Sequence, residues 1–169
     1  FILIYFHNRK INFKEIAIFS FIFIFGLITE IIGVRTGKIF GEYFYGESLG
    51  PKIIETPLII GINWLFLSYT TTSVFENFRI NKVLKIIFAS LLMIIYDIVL
   101  EQIAPIMDMW YWKNNSAPLQ NYISWFIISL FFNSLIQLFG VKTKNNLSTI
   151  ILICQFLFFV FLLLIFKLF

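Results

Sequence analysis

Five apolar stretches, each near the length of a membrane crossing, constrain this chain more than anything else in it. They run roughly over 16–34, 58–74, 83–100, 122–139 and 147–166. A helix needs about 20 residues to cross about 30 Å of hydrocarbon. Composition points the same way: 60% of residues are hydrophobic and only 13% charged, against about 25% charged in soluble domains. A soluble fold of 169 residues cannot hide that much apolar surface, whereas lipid is itself an apolar solvent. The predicted fold class is all-α, a polytopic transmembrane helical bundle of five full spans plus a truncated N-terminal helix. That last element is the apolar stub 1–6, followed by His7-Asn8-Arg9-Lys10. A signal peptide would carry its basic residues before the apolar run, not after it. No linker or repeat divides the sequence, so residues 1–169 read as a single membrane domain, an N-terminally truncated fragment.

Alternating crossings sort the loops onto two sides. Loops 7–15, 75–82 and 140–146, with the adjoining helix ends, carry eight Lys and Arg; loops 35–57 and 101–121 with the C-terminus carry five. The bias of basic residues toward the inside makes the first set cytoplasmic, and the expected location is the cell (inner) membrane. It also accounts for the net charge of +4 without a nucleic-acid partner. Acidic residues divide the opposite way. Glu15 and Glu76 lie toward the basic side, whereas Glu30, Glu42, Glu47, Glu55, Asp97, Glu101 and Asp108 lie on or near the other.

Asp97 and Glu101 are four residues apart in a predicted helix, so they share one face, with Ser90 on the same stripe. Two like charges in a partly buried place disfavour joint ionisation, and one carboxyl can then keep its proton near neutral pH. That makes the pair a candidate acid with a base or charge stabiliser. The spacing equally suits two carboxyls that meet interfacial water at a helix end. Glu30 sits on a stripe with Gly26, Gly33 and Gly37, where missing side chains let a second helix or a flat ligand approach. An acid in an apolar span is a functional candidate by default, though ordinary helix packing explains the glycines as well.

Glycines alternate with aromatics through TGKIFGEYFYGESLG, residues 36–50. The run lacks the spacing of a phosphate-cradling loop. It suits a re-entrant or interfacial segment that lines a cavity, or an interfacial aromatic belt. Tyr43, Tyr45, Trp110, Trp112 and Trp125 are belt residues singly. Beside carboxyls they can also form walls that stabilise a cation through their π faces. Asn63 and Asn121 join them as candidate substrate contacts, although a lone amide such as Asn63 also suits an inter-helix hydrogen bond. No His/Cys cluster, Ser-His-Asp set or HExxH pattern occurs, so hydrolase and zinc readings have no support and no metal site is expected. Cys154, the single cysteine, lies in an apolar helix and reads as a small packing residue.

Two blocks carry a family resemblance. The first runs Glu30-Ile-Ile-Gly33-Val-Arg-Thr36-Gly37-Lys-Ile-Phe40-Gly41-Glu-Tyr43-Phe-Tyr45, then Leu49-Gly50, Pro57 and Trp64. The second runs Asp97-Ile-Val-Leu-Glu101-Gln-Ile-Ala104-Pro105, then Trp110-Tyr-Trp112, Pro118, Asn121 and Trp125. Together they resemble the integral membrane carotenoid biosynthesis family that includes the γ-carotene and bisanhydrobacterioruberin hydratases. The likeness spans about residues 26–125. Gln102 departs from it, because proline often stands there in the family.

The resemblance implies water addition to the terminal double bond of an acyclic carotenoid end, giving a tertiary alcohol. Such an alkene must be protonated first, and water then captures the tertiary cation. The expected roles are Asp97 as acid, Glu101 and Glu30 as base or cation stabiliser, and the Trp and Tyr residues as walls. No organic cofactor is needed. The expected partners are a membrane-embedded carotenoid substrate and the lipid bilayer, with room for other carotenoid biosynthesis enzymes. An acid-lined membrane transporter and a metal-dependent prenyl-transfer enzyme remain as alternatives.

Overall fold

The computed structural model describes residues 13–168. The predicted stub 1–6 and His7 lie outside the described residues. All five predicted apolar stretches are helices: α1 (Phe13–Thr36), α2 (Ile59–Phe75), α3 (Lys82–Ile103), α4 (Leu119–Leu138) and α5 (Asn146–Leu168). Local chemistry sets several of the ends. Asn81 caps α3 by accepting the Leu84 N–H at 2.9 Å, and Pro105, which has no N–H to donate, follows closely on its last residue. At the end of α1, Gly37 takes a left-handed φ of 63° and donates its N–H to the Gly33 carbonyl. Glycine meets no Cβ penalty there.

The expectation of five full spans holds only in part. Four helices, α1, α3, α4 and α5, are long and apolar enough to cross a membrane. The fifth, α2, has 17 residues, about 25 Å at 1.5 Å per residue. Its position explains its character. It packs against α1, α3, α4 and α5, and Leu67 to Ser73 are buried without a break. A helix end enclosed by its neighbours can carry polar side chains if the bundle satisfies them. Thr71 bonds back to the Leu67 carbonyl at 2.7 Å, and Thr72 donates to Asn133 at 2.9 Å. The outer helices show the opposite pattern. Phe21, Ile24, Ile28 and Ile32 form an exposed apolar stripe along α1, and α5 is exposed along most of its length.

The fold is mostly helical, as the all-α reading expects, with little sheet added. Two small antiparallel sheets join the loops, β1 (Tyr43–Tyr45) with β4 (Trp110–Trp112) and β2 (Lys52–Ile53) with β3 (Thr56–Pro57). These strands are too short for period-two alternation to announce them. In the first sheet Tyr43 pairs with Trp112 and Tyr45 with Trp110. Alternation turns those four rings inward, while Phe44 and Tyr111 stack outside with centroids 5.4 Å apart. The sheet therefore closes one end of the bundle with an inward aromatic face. Asp108, just before β4, ties down the neighbouring loop. It accepts the Glu47 N–H at 3.0 Å and the Tyr111 hydroxyl at 2.8 Å, which hold its carboxyl below the usual carboxylate range.

The opposite end is joined by polar bonds between helix termini. Glu76 accepts from Lys85 at 3.1 Å and Gln137 at 2.5 Å, and Ser148 donates to Ser73 at 2.7 Å. The division into an acidic end and a basic end is therefore present in the fold.

Candidate functional site

Under the β1–β4 sheet, α1 and α3 bring three carboxyls to one partly open cavity of about 150 Å³. Glu30 comes from α1 and Asp97 and Glu101 from one face of α3, as the four-residue spacing predicts. All three are buried. The aromatic candidates Tyr43, Tyr45, Trp110, Trp112 and Trp125 line the same cavity, as do the amides Asn63 and Asn121. Every site residue expected from the sequence is thus brought together, although they come from three helices besides α3 and from both strands of the lid.

The carboxyls differ sharply in what they receive. Glu30 accepts three hydrogen bonds, from the hydroxyls of Tyr43 at 2.6 Å and Tyr45 at 2.8 Å and from the Trp64 indole at 3.0 Å. Burial, followed by the neighbouring Glu30 carboxyl, pushes both phenols well above their usual range, so they stay protonated and donate. Glu101 also accepts three, from the indoles of Trp112 at 2.5 Å and Trp110 at 3.1 Å and from the Asn121 amide at 3.3 Å. An indole N–H can only donate and a carboxylate only accept, so these pairings match in kind.

Asp97 is provided for differently. Its Oδ2 accepts the Asn121 amide at 3.0 Å, while its Oδ1 is buried with no hydrogen-bond partner. A bare buried carboxyl oxygen is costly unless something else occupies the space beside it. Asn121 donates to both Asp97 and Glu101, so one amide bridges the two acids.

The glycine stripe on α1 has a packing role. A Cβ on Gly26 would lie 2.9 Å from the Trp64 side chain. The missing side chain admits that indole, which is fully buried, stacks on Trp125 with centroids 4.1 Å apart and reaches Glu30. The flat body held beside Gly26 is thus a tryptophan of the protein itself, and Gly33 is covered by the Phe40 ring.

Three contributors escaped the sequence reading. Trp64 appeared there only within the family blocks, not as a donor to Glu30. Tyr96, adjacent to Asp97, lines the cavity, and its hydroxyl is buried without a partner. Gln155 enters from α5 and makes no hydrogen bond among the described residues. Its signal was available: it is the one amide in the apolar run 150–166. Among the described residues, no group of three or more His, Cys, Asp and Glu side chains is placed to hold a metal ion.

A mostly helical bundle with four segments able to cross a membrane, and an acid-and-aromatic pocket at one end, defines a membrane-type protein. The family model described as carotenoid biosynthesis protein matches residues 1–169, the whole chain, and the chain belongs to that family. Its role therefore lies in carotenoid biosynthesis. No curated protein and no solved structure matches it.

Proposed function

We propose that this protein is a carotenoid hydratase, adding water across the terminal double bond of an acyclic carotenoid end. The observation that carries the proposal is the bare Asp97 Oδ1 in a cavity where the other two carboxyls are occupied by donors. A proton on that oxygen is the one free to leave toward a bound alkene.

In the first step the Asp97 proton bonds to the alkene carbon whose protonation leaves the positive charge on the tertiary centre. The electron pair of the double bond makes the new C–H bond. The carboxylates of Glu101 and Glu30 and the surrounding rings then face a cation in a site shielded from bulk water, where fixed charges act most strongly. A water molecule adds to the cation, and its surplus proton passes to a carboxylate of the site. Return of a proton to Asp97 closes the cycle, and the net change is one water added. No oxidant, reductant or organic cofactor enters this balance. A water needs about 10–15 Å³ of such space, so a 150 Å³ cavity leaves room for a branched isoprenoid end beside one water. The remaining polyene lies along the helices in lipid.

Expression in a host that makes acyclic-ended carotenoids tests the reading. Pigment extracts are expected to gain a product heavier by one water; an unchanged pigment profile contradicts the hydratase.

The same proposal puts the chain in the cell (inner) membrane with α2 as a fifth crossing, its Thr-rich end shielded from lipid by its neighbours, and with the basic end cytoplasmic. Cysteines introduced in 75–82 are then expected to react from the cytoplasmic side only, and cysteines in 40–50 from outside only. Labelling of both loops from one side contradicts the crossing pattern.

A further inference from the structure

At the end of the bundle opposite the acid pocket lies a second hollow, of about 360 Å³, between the start of α3 and the α4–α5 connection. Lys82, Lys142 and Lys144 line it, together with Gln137, Thr143 and Glu76. Glu76 already receives Lys85 and Gln137, so the one carboxylate in the lining is neutralised by a lysine from outside it. Lys82 and Lys144 make no ion pair or hydrogen bond among the described residues. The Thr143 side chain is fully buried, lines the hollow, and its hydroxyl has no partner. Two cations without counter-charge and a buried donor without an acceptor, in one concavity, lack the same thing: a group with several anionic oxygens.

We propose that this hollow binds a phosphate group, and that the phosphate is the headgroup of an anionic membrane phospholipid. Location selects the lipid over soluble phosphate. Leu138 and Phe139, immediately before the connection that forms the hollow, are exposed, and Lys14 lies over the Phe139 ring at 5.5 Å. Apolar surface running directly into a basic pocket fits acyl chains below and a charged headgroup above. The lysines supply charge, and the Thr143 hydroxyl fixes the position of one phosphate oxygen. The inference rests on the membrane placement proposed above and is independent of the hydration chemistry.

Native mass spectrometry of the detergent-solubilised protein, titrated with phosphatidylglycerol or phosphatidylcholine, provides the test. Recovery of the protein in the soluble fraction before any lipid is added would overturn the membrane placement itself. For membrane-extracted protein, phosphatidylglycerol is expected to bind in preference to phosphatidylcholine. The preference should fall by about tenfold or more in a Lys82→Gln, Lys144→Gln variant, since each cation near a headgroup contributes substantially. Thr143→Val keeps the side chain's shape and removes only the hydroxyl, so it decides the matter if the double variant fails to fold. Its expected effect is a severalfold loss of phosphatidylglycerol with an unchanged melting temperature in the absence of lipid. Equal affinity for the two lipids, or full phosphatidylglycerol binding in Thr143→Val and in a folded double variant, overturns the site. Displacement of the lipid by millimolar inorganic phosphate would overturn the assignment to a headgroup.

Discussion

Asp97→Asn is expected to cost about 10²–10⁴-fold in hydration rate, the range for loss of a general acid, while the protein inserts and folds as before. Asparagine has nearly the shape of aspartate. Its carbonyl oxygen can still accept the Asn121 amide, the only hydrogen bond Asp97 receives among the described residues. What it cannot do is release a proton to an alkene. The amide nitrogen would occupy the position of Oδ1, which has no partner to lose. Turnover of a purified carotenoid with an acyclic end, measured alongside melting temperature and gel-filtration profile, separates chemistry from folding. Wild-type turnover in Asp97→Asn would remove this residue from the mechanism.

The second large effect is expected at Glu101, by a different route. Glutamine offers one acceptor oxygen where glutamate offers two. In the native site both Glu101 oxygens are engaged, Oε2 by the indoles of Trp110 and Trp112 and Oε1 by Asn121. Glu101→Gln therefore turns an NH₂ group toward either two donors or one, besides removing the charge. The expected result is a rate loss comparable to that of Asp97→Asn, now with a melting-temperature penalty, because a buried donor left unsatisfied costs about 1–3 kcal/mol. Trp112→Phe keeps a ring in the wall and withdraws one N–H, so its rate loss is expected to be smaller. If Glu101→Gln hydrates its substrate at the wild-type rate, the carboxylate has no role as base or charge stabiliser.

How much of this was legible in the sequence depends on the range of each interaction. Asp97 and Glu101 were visible as a pair because four residues within one helix fix a shared face. The five apolar stretches were visible because length and hydropathy are local properties. What each aromatic does was not legible. Tyr43 and Tyr45 serve Glu30 while Trp110 and Trp112 serve Glu101. That division follows from the pairing of β1 with β4, two three-residue strands more than 60 residues apart in the chain, and no periodicity encodes such a register. The aromatics expected as walls are therefore also the donors that define the carboxyls. The 17-residue length of α2 was already visible in the run 58–74, but its surroundings were not. Its Thr-rich end is tolerated because four other helices enclose it, and enclosure is a tertiary fact. Gln155 shows the reverse case, a local signal passed over: a single amide in an otherwise apolar run marks the side of α5 that faces the cavity.

The central claim is that a protein-held proton adds to carbon and that the new oxygen comes from water. Running the reaction in heavy water and analysing the product by mass spectrometry tests it most directly. After the exchangeable hydroxyl position is washed back to hydrogen, the alcohol is expected to retain one deuterium, on the carbon next to the one bearing oxygen. Product formation with no deuterium retained on carbon, or with oxygen drawn from a source other than water, would contradict it.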